Sequence, residues 1–399
     1  MRSSISRRSL LKGFAAATGA ALGTTMTKGG LLVPSAYAAP SEPTSVVVIY
    51  LDGGINAIFT GADAFMNQSF GVTANNMTMM GDVGVDNVLA NAIPQGMRSK
   101  VASIGVRHGI SAHNTAQRAF FANGTTSAPL ALAGAIGGSA AIKAAVVGGN
   151  SLAGGVNPAP VGGVSLQGVT DMRATIDALA GAQPAANAVD RDGASKGLLA
   201  AETLSKGTMT GNEIALSSVS EGIRASVETL QKPVVPFSTQ EFNTAYNLQG
   251  TAVNNFNAKM AAAELMVRAG TGVVVAIDGG WDTHGDTQGT TARNQFRQRI
   301  APGLTTFMSR MVNGTTSNDR NVIVVIGGDF SRSLPGSDHQ ANLSVLVVGK
   351  YVKQGTTGKT DANVGLPANT ASGPGMWAYL AAAAKIDGGP FGANPHGLV

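Results

Sequence analysis

The chain has 399 residues, with 28 Lys and Arg, 23 Asp and Glu, five His and no Cys. Without cysteine there can be no disulfide scaffold, thiolate zinc site, iron–sulfur cluster or cysteine nucleophile. Charged residues make up 13% and glycine reaches 53, a small-residue-rich globular composition with enough length for a large core.

The basic surplus is confined to the N-terminus. Residues 1–38 hold Arg2, Arg7, Arg8, Lys12 and Lys28 and no acid, which leaves 23 basic against 23 acidic residues from Ala39 onward. A balanced surface releases few counterions from a phosphate backbone, so no nucleic-acid partner is expected. Ser6-Arg7-Arg8-Ser9-Leu10-Leu11-Lys12 has the form of a twin-arginine export motif, and a weakly apolar stretch from Phe14 to Leu22 follows it. That stretch is too short for a permanent membrane span, and Ala36-Tyr37-Ala38 has the small-x-small pattern of a signal peptidase site. A twin-arginine signal peptide over 1–38 is therefore expected. Its partners would be the translocase and the peptidase, and the mature chain would be periplasmic or secreted, without a transmembrane anchor.

From Ala39 the elements follow in order. Thr44–Leu51 is a continuous β-branched run ending at Asp52-Gly53-Gly54, the pattern of a strand buried on both faces. Val101–Val106, Ala144–Val147, Gly272–Ile277, Asn321–Ile326 and Ser344–Val348 are similar. Helical patterns lie at Asn114–Ala122, Thr239–Ala269, Thr291–Val312 and Pro374–Ala384. Strands alternating with helices predict an α/β fold, a mostly parallel central sheet with helices on both faces. The Gly/Ala-rich stretch 148–235 predicts an inserted side or cap region.

In such sheets ligands bind beyond the carboxyl ends of the strands. Asp52, Asp278 and Asp329 each follow an apolar run, although a carboxylate there can also cap a helix. Three histidines sit in polar clusters: Ser111-Ala-His113-Asn114, Asp282-Thr-His284-Gly285-Asp286 and Ser337-Asp-His339-Gln340. Imidazole with carboxylate suits a divalent ion such as zinc, manganese, iron or calcium when thiolate is absent. A polar network that merely holds loops would use the same residues. His108 belongs to the rim or to the core, His396 is expected in solvent, and Trp281 and Trp377 read as packing anchors. The dinucleotide GxGxxG, the phosphate loop GxxxxGK[ST] and the GxSxG elbow are missing.

With these residues the chain resembles the exported bacterial family called domain of unknown function 1501, in the alkaline phosphatase/sulfatase-like superfamily. The matching pieces are the leader, Val46-Val-Val-Ile-Tyr-Leu-Asp-Gly-Gly54 and His113-Asn-Thr-Ala-Gln117. Gly279-Gly-Trp-Asp-Thr-His-Gly285, Gly328-Asp-Phe-Ser-Arg332 and Ser337-Asp-His339 complete them. The resemblance implies an alkaline phosphatase-like fold and a two-metal hydrolase of phosphate or sulfate esters. By position, Asp52 looks like the first ligand, and Asp278 or Asp282 with His284 resembles the second set. Asp329 and His339 fall where later ligands lie. Phe330 stands where a ligand histidine would follow Asp329, so one metal position is a ligand short. Ser111 and Thr115 are the candidate nucleophiles, with His113 as acid/base or positioning group. Arg332 is a candidate oxyanion contact, because guanidinium matches phosphate or sulfate. The expected function is an exported metal-dependent ester hydrolase. The alternative is a non-catalytic periplasmic or cell-surface binding or assembly protein on the same fold.

Overall fold

The computed structural model describes residues 40–61, 71–138, 140–181, 188–208, 237–313, 319–361, 364–365, 371–386 and 389–399. The expected leader lies outside them. So does 209–236, a large part of the expected cap region.

The core is a nine-stranded sheet among the described residues. Its strands are β1 (Thr44–Leu51), β2 (Val101–Arg107), β3 (Ala144–Val147), β4 (Leu166–Val169), β5 (Val273–Asp278), β6 (Asn321–Gly328), β7 (Asn342–Val348), β8 (Gly355–Thr356) and β9 (Ala371–Ser372). The order is β8-β2-β7-β6-β1-β5-β3-β4, with β9 also on β2. Only β7 runs against its neighbours β6 and β2. Every residue of β1 and of β6 is buried, as a doubly covered parallel sheet requires.

The six apolar runs all form strands. The expected side region departs from its description at its start. Leu166–Val169 pairs parallel with β3 and widens the sheet, before helices Met172–Gly181 and Ala188–Thr208. An edge strand exposed at Gln167 and Gly168 carries no apolar run to betray it.

Two long helical patterns are interrupted. The stretch from Thr239 divides into Thr239–Tyr246 and Phe256–Arg268, because Asn247 turns left-handed (φ 54°) and ends the first piece. Asn255 then caps the second through Ala258 N. The stretch expected from Thr291 starts at Thr290 and carries a π-helical turn at Phe296–Ile300 ahead of Ala301–Met311. Pro302 has no N–H for the preceding turn, which accounts for the register change there.

Register decides what the strand ends present. Leu51 pairs with both Asp278 and Gly328, so Asp52 and Asp329 leave the sheet together. Successive side chains alternate between faces. Tyr50, Asp52 and Asp329 thus share one face, while Asp278 sits level with Leu51 and points to the other.

Candidate functional site

Asp329 is the buried pivot of this face. Its Oδ1 accepts from the Tyr50 hydroxyl at 2.6 Å, and Oδ2 accepts from Gly53 N at 3.2 Å and His113 Nδ1 at 2.7 Å. His113 opens the helix His113–Phe120, which turns its first residue and Gln117, one turn on, to the same side. Gln117 Nε2 bridges Asp52 Oδ1 at 2.5 Å and Asp329 Oδ2 at 3.5 Å. Burial, and next the Asp329 charge, push the Asp52 carboxyl above its ordinary value.

A carboxylate accepts only, so His113 Nδ1 carries the proton and Nε2 keeps its lone pair. That Nε2 is buried without a hydrogen-bond partner, 3.7 Å from Asp282 Oδ2. Asp282 reaches this point because Gly53 (φ +117°) lets another loop pack onto its backbone. A Cβ on Gly53 would stand 2.4 Å from Asp282 N.

His339 approaches from the third side. Its Nδ1 lies 2.6 Å from the Ser111 carbonyl and must donate, so its Nε2 also presents a lone pair. Burial, and next to it the positive charge of Arg332, lower its proton affinity despite the Ser111 bond. Its ring lies 4.6 Å from that of His113, and Phe330 touches both at 4.2 and 4.9 Å. One ligand atom each from His113, Asp282 and His339 falls within 4.8 Å of the others. Two imidazoles and a carboxylate suit a divalent transition ion. The partnerless His113 Nε2 is what such an ion would complete. Each of the three is held from outside the cluster: His113 by Asp329, His339 by the Ser111 carbonyl, and Asp282 Oδ1 by His284 Nδ1 at 2.6 Å, while Arg332 donates to the same Oδ1. Burial would raise the Asp282 carboxyl, but Arg332 and the neighbouring histidines outweigh it and hold it below its ordinary value.

Several of the other residues singled out in the sequence stand outside these three. Asp278 is turned away, its Oδ2 taken by Trp281 Nε1 at 2.8 Å and Arg299 at 2.7 Å, so the loop supplies Asp282 instead. His284 backs Asp282 and is not among the three. Asp52 and Asp329 stand behind His113. Ser111 offers its carbonyl, while its side chain is exposed. Thr115, exposed and two residues past His113, lies nearly on the opposite side of the helix. Arg332 is fully buried, its donors committed to Gly53 O, Ser337 O, Asp282 and His339, so it does not present a guanidinium to an oxyanion. His396 is 7% exposed, with Nδ1 2.7 Å from Thr357 Oγ1, because the C-terminal segment folds back on the sheet edge. Trp281 and Trp377 are buried anchors, and His108 is half buried with Nδ1 accepting from Ile110 N. Tyr50 and Gln117 had no assigned role in the sequence, although the four-residue spacing of His113 and Gln117 was there to find.

A cleft of about 370 Å³ runs outward from Asp282 and His284 along Gln288, Thr291 and Gln295. Among the described residues no helix is long and apolar enough to cross a membrane.

The family described as "Protein of unknown function (DUF1501)" matches residues 165–373, slightly over half of the chain. That span holds Asp282, His284, Asp329, Arg332 and His339; Asp52 and His113 precede it. No curated protein matches the chain. Three solved structures are distantly similar. A protein in the alkaline phosphatase superfamily from Vibrio parahaemolyticus is 11% identical with TM-score 0.37, over 98% of this chain and 78% of that one. The PsFucS1 sulfatase from Pseudoalteromonas sp. is 11% identical with TM-score 0.34, over 87% and 68%. The lipoteichoic acid synthase LtaP from Listeria monocytogenes is 10% identical with TM-score 0.34, over 96% and 80%.

Proposed function

The chain belongs to the DUF1501 family of proteins of unknown function, and we propose that it is a metal-dependent hydrolase of phosphate or sulfate esters. The observation that carries this reading is the convergence of His113, Asp282 and His339 within 4.8 Å, with a partnerless imidazole nitrogen among them.

In this reading His113 Nε2, Asp282 Oδ2 and His339 Nε2 hold one divalent ion. When bound, the ion polarises an ester oxygen and lowers the pKa of a water molecule. The chain's own groups do the rest. Asp329 keeps the proton on His113 Nδ1, so that Nε2 stays a ligand. The Ser111 carbonyl does the same for His339. Asp52, half buried, accepts from Gln117 Nε2, which also reaches Asp329, so it steadies the network behind His113. The cleft past His284 receives the remainder of the ester, and its hydroxyl and amide side chains give it a polar lining. Loading purified chain with zinc, manganese, iron or calcium and assaying phosphomonoesters, phosphodiesters and sulfate esters tests the reading.

One observation favours the non-catalytic binding or assembly reading: Arg332 already places a positive charge against Asp282 and His339. Failure to retain any metal would put that reading ahead.

Export by the twin-arginine translocase, followed by peptidase cleavage after Ala38, belongs to the same proposal and rests on the leader sequence. Changing Arg7 and Arg8 both to Lys should leave uncleaved precursor in the cytoplasm. Normal processing of that variant would refute the assignment.

A further inference from the structure

We propose that Arg332 is an internal cation that occupies the ligand set of this site when no ion is bound, so that loading requires its displacement. The inference rests on the metal-holding reading of His113, Asp282 and His339.

Arg332 is fixed from behind by two carbonyls: Nε donates to Gly53 O at 2.8 Å and Nη1 to Ser337 O at 2.6 Å. These anchors leave Nη2 facing the ligands. Nη2 donates to Asp282 Oδ1 and lies 3.2 Å from His339 Nε2. Because His339 Nδ1 must donate to Ser111 O, Nε2 is the acceptor in that contact. The guanidinium therefore occupies the lone pair that an ion would need.

It also neutralises Asp282 and lies over the face of Phe330, 5.6 Å from the ring centre. Arg332 is fully buried, while its partner Asp282 stays half exposed at the mouth of the cluster. An entering ion meets a carboxylate whose charge is already paired through Oδ1 and an imidazole already hydrogen-bonded at Nε2. Of the three ligand atoms, His113 Nε2 and Asp282 Oδ2 stand open, and His339 Nε2 does not. The expected consequence is a site that binds its ion weakly and reversibly.

The test is calorimetric titration of zinc into the purified full chain and into Arg332→Ala and Arg332→Lys, with folding followed by circular dichroism and thermal unfolding. Arg332→Ala should bind zinc about tenfold tighter or more, the usual worth of a hydrogen bond to a charged group. Millimolar guanidinium ion should reverse that gain in Arg332→Ala and leave the unaltered chain unchanged. Arg332→Lys keeps the charge but has no fork to reach both partners, so it should fall between the two. It carries the test should Arg332→Ala fail to fold. Folded variants that bind zinc no more tightly than the unaltered chain would overturn the inference and make Arg332 a support for Asp282. Absence of binding in all folded forms would instead bring down the metal-holding reading itself.

Discussion

Asp329 Oδ2 lies 2.7 Å from His113 Nδ1, and this contact sets the direction of the other imidazole nitrogen. The two residues are separated by 216 positions and meet only because β6 ends beside β1, where the helix beginning at His113 crosses the rim. The buried carboxylate also accepts from Tyr50 and Gly53, so it is held from three directions and cannot swing toward an ion itself. In the proposed site Asp329 thus orients His113 and does not join the ligands itself.

His284→Ala should lower metal affinity by roughly 10–100-fold without abolishing it, because His284 touches only the far oxygen of Asp282. Excess ion should restore full occupancy, as seen by metal analysis after dialysis against graded zinc. Binding that no concentration of ion recovers would make His284 a direct ligand.

Asp52→Asn should leave metal affinity unchanged, since Asp52 bonds to Gln117 and not to the three ligands. Metal analysis after zinc loading, beside circular dichroism, checks this. A fall in metal occupancy in the folded variant would return Asp52 to the ligand set.

Asp278→Asn should cost about 1–3 kcal/mol of stability through its bonds to Trp281 and Arg299, with metal per chain unaffected. Denaturant unfolding beside metal analysis reads both. A fall in metal occupancy at unchanged stability would return Asp278 to the ligand set.

His396 makes stability depend on pH. Burial lowers its folded-state pKa from the ordinary 6.5 to about 4. Between those values the unfolded chain takes up a proton that the folded chain refuses. The contribution is therefore complete above about pH 6.5 and is lost as pH falls toward about 4. The loss is at most about 1.4 kcal/mol per pH unit, reduced by partial contact with water. The thermal midpoint of His396→Gln should fall less steeply with acid than that of the unaltered chain. Parallel curves would contradict this.

Much of the scaffold was legible in the sequence. Thr44–Leu51 and Ala144–Val147 coincide with strands residue for residue, because a doubly buried strand leaves an uninterrupted apolar run. The rim was legible as a set of residues, and their roles were not. Whether Asp278 or Asp282 faces the cluster depends on strand parity and on a glycine that admits a second loop. The burial of Arg332 depends on carbonyls of Gly53 and Ser337, which no side-chain pattern records. His396, near the end of the chain, is buried because Thr357 and Tyr379 receive it.

Equilibrium dialysis of the purified full chain against saturating zinc, beside His113→Ala and His339→Ala under the same conditions, decides whether these residues hold an ion. One ion bound per unaltered chain and almost none in either variant is expected, with far-ultraviolet circular dichroism unchanged, because each variant removes one of about three protein bonds to the ion. An unaltered chain that binds no ion at saturating zinc, or folded variants that both bind a full equivalent, would contradict this.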